Sequence, residues 1–193
     1  MPHSTKLPIP ARTASLHLET RNFRQSRAMC GPACLRIVFS YFGRSVSERA
    51  IAEACRSSSM TGTTGSNLAR GAARFGFTAH VVDGSTFRHI ALWLGRRVPT
   101  IVDWMSAIAS HPSRSAMPCG HYSVVCGLDR KYLYLQDPAI GRRRRVLRRD
   151  FLNLWFDFTR VRPSRKDLIV RRLIIVTPIG SCANVDPNVR ISP

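Results

Sequence analysis

Apolar positions in the first half of the chain follow a helical period. Leu35, Val38, Phe39 and Phe42 recur at three- and four-residue steps within residues 30–42, the spacing that lines one face of an α-helix. Gly43 supplies a stop just past its end. "SVSERAIAEAC" predicts a second helix, with Ser45 and Glu48 at capping-box spacing. "TGTTGSNLARGAARFGF" predicts a turn and then a helix that stops at Gly76. Beyond it the period shortens to that of strands. Thr78–Val82, Val98–Asp103, Tyr122–Leu128 and Tyr132–Gln136 read as strands, with a helix over roughly residues 86–94 between the first two. Asp150–Phe158 reads as another helix and Leu168–Val176 as a last strand. Helices in front and strands behind predict an α+β fold rather than alternating βαβ units. An irregular N-terminal arm (1–22), one folded unit (23–178) and an irregular C-terminal tail (179–193) are expected, with a surface loop over 105–119.

Composition narrows this picture. Hydrophobic residues make up 44% of the 193 positions, enough for a core and too many for wholesale disorder. No apolar run approaches the roughly 18 residues of a membrane span, and the N-terminus has no apolar signal core. Six cysteines occur without a CxxC pair or a compact framework, which predicts mostly reduced thiols in a cytoplasmic setting. The formal charge is +19, which attracts nucleic acid, anionic membranes or acidic peptides. Its densest stretch is "GRRRRVLRRD", residues 141–150. That run, 142–149 in particular, reads as a solvated face, or as a rim that recruits an acidic peptide. Nucleic acid is a less favoured partner, because no recognisable nucleic-acid module accompanies the charge.

Candidate chemistry begins at Cys30, which stands before Gly31-Pro32 at the head of the first predicted helix. A helix N-terminus stabilises a thiolate, and Pro fits the first helical turn. Cys30 is therefore either a nucleophile or a small buried hydrophobe. A nucleophilic thiol needs a base and a group that orients the base. Of six histidines, His3 and His17 fall in the arm, His80 within a strand, His89 on a helix and His111 in the loop. His121 follows Gly120 at the start of an apolar strand in "CGHYSVVCGLD". If that strand pairs antiparallel with "YLYLQDPAIG", Asp137 lies beside His121. Asp129 is a weaker rival for the orienting role. Cys34 reads as core, and Cys119, two residues before His121, as a thiol near the site. Paired metal-ligand spacings are missing, so neither a metal nor a cofactor is expected.

These segments together resemble the papain-like peptidase family that matures double-glycine leader peptides, domains best known fused to peptide-exporting transporters. The resemblance spans about residues 23–158 and rests on the ordered set of Cys30-Gly-Pro, Gly120-His121-Tyr122 and Asp137-Pro138. It implies a papain-like fold with Cys30 as nucleophile, His121 as general base and Asp137 as orienting acid. It further implies that Gln25 and the backbone N–H of Cys30 form an oxyanion hole. Gln25 lies five residues before Cys30, one fewer than the family's usual spacing, which here falls on Arg24. No transporter segment follows, so a stand-alone form is expected, acting on a peptide or leader peptide and served by a separate peptide-exporting transporter. A catalytically idle leader-binding domain and a basic nucleic-acid-associated protein are the alternatives.

Overall fold

A computed structural model describes residues 15–106, 119–159 and 164–181 of the chain. The first helical pattern forms α1, Cys30–Tyr41, whose Cys34, Leu35, Val38 and Phe39 are fully buried. Gly43 follows at φ +79°, a left-handed conformation that glycine, lacking a Cβ, adopts without penalty. Helix α2, Glu48–Ala54, is capped by Ser47, whose hydroxyl accepts the Ala50 N–H at 3.2 Å. The expected cap, Ser45, lies two residues too early, and Glu48 does not complete a capping box. Its carboxylate instead accepts the N–H of Ser26 at 3.1 and 3.2 Å. Helix α3, Gly65–Ala73, is capped by Thr64. It packs so closely on α2 that a Cβ on Gly71 would overlap the Cys55 sulfur.

A single antiparallel sheet forms the centre. Its strands are β1 (Leu16–His17), β2 (Phe77–Val82), β3 (Thr100–Ser106), β4 (Cys119–Leu128), β5 (Tyr132–Asp137), β6 (Arg142–Leu147) and β9 (Arg172–Pro178). The spatial order is β2-β9-β3-β4-β5-β6, with β1 pairing the far end of β4. Helices α1 to α3 cover one face through a core that includes Phe39, Ile51, Leu68, Val124 and Ile174. Helices α4 (Phe87–Gly95) and α5 (Arg148–Leu154) are joined in the core of the other face by Trp93, Trp104, Leu135 and Trp155. A separate hairpin pairs β7 (Phe156–Phe158) with β8 (Leu168–Val170). This is the expected α+β arrangement.

Three expectations change. The arm is not irregular throughout, because Leu16 and His17 pair with Leu128 and Gly127, and Leu18 is buried. Residues 1–14 and 107–118, the latter most of the expected loop, lie outside the described residues, as do 182–193 of the tail. The arginine run forms edge strand β6 and the first turn of α5, with Arg142, Arg143, Arg145 and Arg149 exposed, in keeping with the expected solvated face. Charged residues suit an edge, where they discourage pairing with other chains. The helix expected over 150–158 ends at Leu154, where the Trp155 indole N–H donates to the Arg172 carbonyl at 2.9 Å and the chain turns into β7. The last expected strand breaks at Arg171, in the left-handed region at φ +52°, which separates β8 from β9.

Candidate active site

Cys30 is the first residue of α1 and carries a free, half-buried thiol. The segment before it is pinned at several points. The Gln25 N–H donates to the Pro138 carbonyl at 2.9 Å, Glu48 holds the Ser26 N–H, and the Met29 N–H closes a turn onto Ser26 at 3.1 Å. Ala28 within that turn sits at φ +60°, a costly conformation for a non-glycine residue that the surrounding contacts impose. The turn sets the sulfur at the positive end of the helix dipole.

His121 lies on β4 opposite Trp104 of β3, their rings 6.4 Å apart, and is 5% exposed. Asp137 ends β5 and is fully buried. The β4–β5 hairpin pairs Val124 with Gln136, so the end of β5 returns to the start of β4. The Nε2 of His121 and Oδ1 of Asp137 are 2.8 Å apart. Oδ1 also accepts the Ala139 N–H at 3.0 Å, and Oδ2 accepts from Arg144 Nη1 at 3.0 Å. The Cys30 side chain is electrostatically coupled to the His121 ring, and with Nε2 engaged by Asp137, Nδ1 is the nitrogen left to face it. Imidazole and carboxylate are thus in contact, and the sulfur, coupled to the ring by charge, continues the row.

Their proton affinities move together. Burial pushes the Cys30 thiol up, but the hydrogen bond and charge of His121, with the N–H groups of Tyr122 and Gly31, outweigh it and bring it below its ordinary value. Burial pulls His121 down, while hydrogen bonds to Asp137 and Cys30 and their charges raise it from 6.5 to about 9. Burial pushes Asp137 up, yet His121, the Ala139 N–H and Arg144 hold it below the usual carboxylate range. All three shifts run toward a thiolate–imidazolium pair beside an ionised carboxylate.

The remaining candidates separate from this row. Asp129, the rival orienter, instead builds the β4–β5 turn by accepting the N–H groups of Lys131 and Tyr132, both at 2.7 Å. Burial, then the charges of Cys30 and Asp137, push the Cys34 thiol well up, so it behaves as core. His17 packs edge-on against Tyr134, and His89 accepts the Thr86 N–H at the start of α4. His80 lies on β2. His3 and His111 lie outside the described residues. The Gln25 side-chain oxygen is buried with no hydrogen-bond partner among the described residues. Sequence reasoning missed Arg144, the second partner of Asp137. Among the described residues no helix is long and apolar enough to cross a membrane.

A second acidic group adjoins the row. Asp103 on β3, 1% exposed, is pushed well up by burial, then by the charge and hydrogen bond of Asp157. Arg172, 4.0 Å from Asp103, opposes the shift. The Asp157 carboxylate fills the space where a Cβ of residue 120 would stand, which gives the glycine before His121 its physical reason. Gly120→Ala must displace the Asp157 side chain or shift the start of β4. It should lower stability by about 1–3 kcal/mol, read by thermal unfolding, with most of the loss recovered when Asp157→Ala is added. An unchanged midpoint for Gly120→Ala alone would contradict this packing.

The peptidase C39 family model matches residues 21–161. The chain belongs to the peptidase C39 family. No curated protein matches it. Among solved structures, the peptidase domain of Streptococcus ComA, a bifunctional ABC transporter, is 21% identical with a TM-score of 0.57, over 82% of this chain and 98% of that one. A double-glycine-motif protease from an AMS/PCAT transporter, solved with its leader peptide, is 20% identical with a TM-score of 0.57, over 84% and 94%. A putative C39-like peptidase from Bacillus anthracis is 14% identical with a TM-score of 0.57, over 83% and 98%. This C39 chain therefore has the papain-like α+β fold expected from its residues.

Proposed function

We propose that this C39 chain is an active cysteine peptidase that cuts a peptide leader or precursor through Cys30, His121 and Asp137. The observation that supports the reading is Nε2 of His121 2.8 Å from the buried Asp137 carboxylate, with the Cys30 thiol coupled to the same ring. The Cys30 thiolate attacks the scissile carbonyl carbon, and the C=O π pair moves onto oxygen. The backbone N–H of Cys30 and the side-chain amide of Gln25 receive that oxyanion, donors of a kind worth about 10²–10³ in rate. Collapse expels the amine, which takes its proton from the His121 imidazolium. Water, deprotonated by His121, then hydrolyses the thioester, and the thiolate returns. Asp137 keeps the ring oriented and its cation stabilised throughout.

A leader peptide is the proposed substrate because the protease of the AMS/PCAT transporter was solved with one. A peptide-exporting transporter is the partner this reading implies, and the cytoplasmic side of a membrane is the corresponding place. The test is hydrolysis of a double-glycine leader peptide across about pH 5–10. Hydrolysis needs thiolate on the acid side and imidazolium on the alkaline side. kcat/KM should therefore trace a bell whose acid limb lies below the ordinary thiol range. Its alkaline limb should fall near pH 9, where His121 loses its proton. Alkylation of Cys30, which needs only the thiolate, should keep the acid limb and lack the alkaline one. Tight binding of the peptide with no cleavage would instead identify an idle leader-binding domain.

A further inference from the structure

Four consecutive arginines, Arg142 to Arg145, lie on β6, and their surroundings differ. Arg142 is exposed. Arg143 Nη2 donates to the Leu18 carbonyl at 3.2 Å, and Arg145 stands over the Tyr132 ring at 4.9 Å. Arg144 is paired with Leu135 across the strands, two residues from Asp137. Its Nη1 is 3.0 Å from Oδ2 of Asp137, and its guanidinium lies 5.2 Å above the Trp104 ring. Trp104 is itself fixed, because its indole N–H donates to the Ser123 hydroxyl at 3.1 Å and its ring faces the ring of His121.

The two oxygens of Asp137 thus have divided roles. Oδ1 serves His121 and the Ala139 N–H, whereas Oδ2 serves Arg144. The terminal torsion of an aspartate is intrinsically broad, so contacts through Oδ1 alone leave the carboxylate plane loosely set. A planar guanidinium, held flat by an aromatic shelf, removes that freedom in a way a lysine point charge does not. We propose that Arg144 is the positioning residue of the triad, clamping the Asp137 carboxylate between the Trp104 shelf and His121 so that Oδ1 stays aligned with Nε2. The inference rests on the peptidase reading for its effect on catalysis, though not for its effect on His121. A bare positive charge here would have the opposite sign, because a cation near Asp137 disfavours the imidazolium.

The experiment compares Arg144→Gln, Arg144→Lys, Asp137→Asn and the Arg144→Gln/Asp137→Asn double variant in the full chain. Thermal unfolding and circular dichroism establish that each is folded. The readouts are the His121 ring titration by NMR and the kcat and KM for a double-glycine leader peptide. Positioning predicts that Arg144→Gln lowers the His121 titration midpoint from about 9 and lowers kcat by about 10–100-fold, the usual effect of losing a partner that orients a functional ligand. KM should change little. Arg144→Lys should retain most of the loss, and Arg144→Gln should add nothing in the Asp137→Asn background. An unchanged or raised midpoint, full rescue by lysine, or multiplying effects in the double variant would overturn the role. If the native chain cleaves nothing while the midpoint still falls in Arg144→Gln, the peptidase reading fails and the positioning role stands.

Discussion

Cys30→Ala should abolish peptide hydrolysis and leave a folded protein. Removing the nucleophile of an acyl-transfer triad lowers kcat on the order of 10⁶, which brings turnover to the limit of detection. The fold survives because the substitution removes one half-buried sulfur at the head of α1. The buried stripe of that helix, Cys34, Leu35, Val38 and Phe39, stays intact. A change of this size should move stability by no more than about 1 kcal/mol. Peptide cleavage assays beside thermal unfolding check both halves. Turnover near the native level would point to another nucleophile, with Cys119 first in line.

Asp137→Ala should be worse for the fold than Cys30→Ala and nearly as damaging to activity. The carboxylate is fully buried and answers three donors, His121, Ala139 N–H and Arg144. Deleting it strands a buried imidazole and one end of a guanidinium. Breaking a buried pair from one side costs about 3–5 kcal/mol, and the 30% exposure of Arg144 places this case at the low end. Asp137→Asn keeps the shape but presents the wrong hydrogen-bond partner to the ring, which in a comparable triad costs about 10⁴ in kcat. Folded Asp137→Asn with unchanged kcat would remove Asp137 from the mechanism. A chemical-denaturation midpoint for Asp137→Ala equal to native would contradict the buried network.

The sequence signals worked where chemistry and topology coincide. His121 and Asp137 stand at facing ends of two strand-like runs joined by a short turn, and an antiparallel hairpin can only bring those ends together. Cys30 was legible because Gly31-Pro32 marks a helix start. Arg144 was not legible, because four identical residues in a row carry no alternation from which to choose one. Ser47 and Ser45 both precede an acidic helix start, and only the Ser47 hydroxyl's bond from the Ala50 N–H shows which one caps. The break at Arg171 leaves no mark in "LIVRRLIIV", since an arginine at positive φ has no sequence signature. The two-residue strand Leu16–His17 is shorter than any periodic pattern. The placement of Gln25 depends on the left-handed turn at Ala28, which spacing alone does not reveal.

The activated thiol can be measured directly, as the rate of iodoacetamide alkylation at Cys30, mapped by mass spectrometry in the native chain and in folded His121→Ala. A thiolate held by imidazolium reacts at pH values well below the ordinary thiol range, and that reactivity should vanish when the ring is removed. If Cys30 instead reacts only as an ordinary thiol of pKa about 8.5 does, or reacts equally well without His121, then the two groups do not form the pair on which catalysis depends.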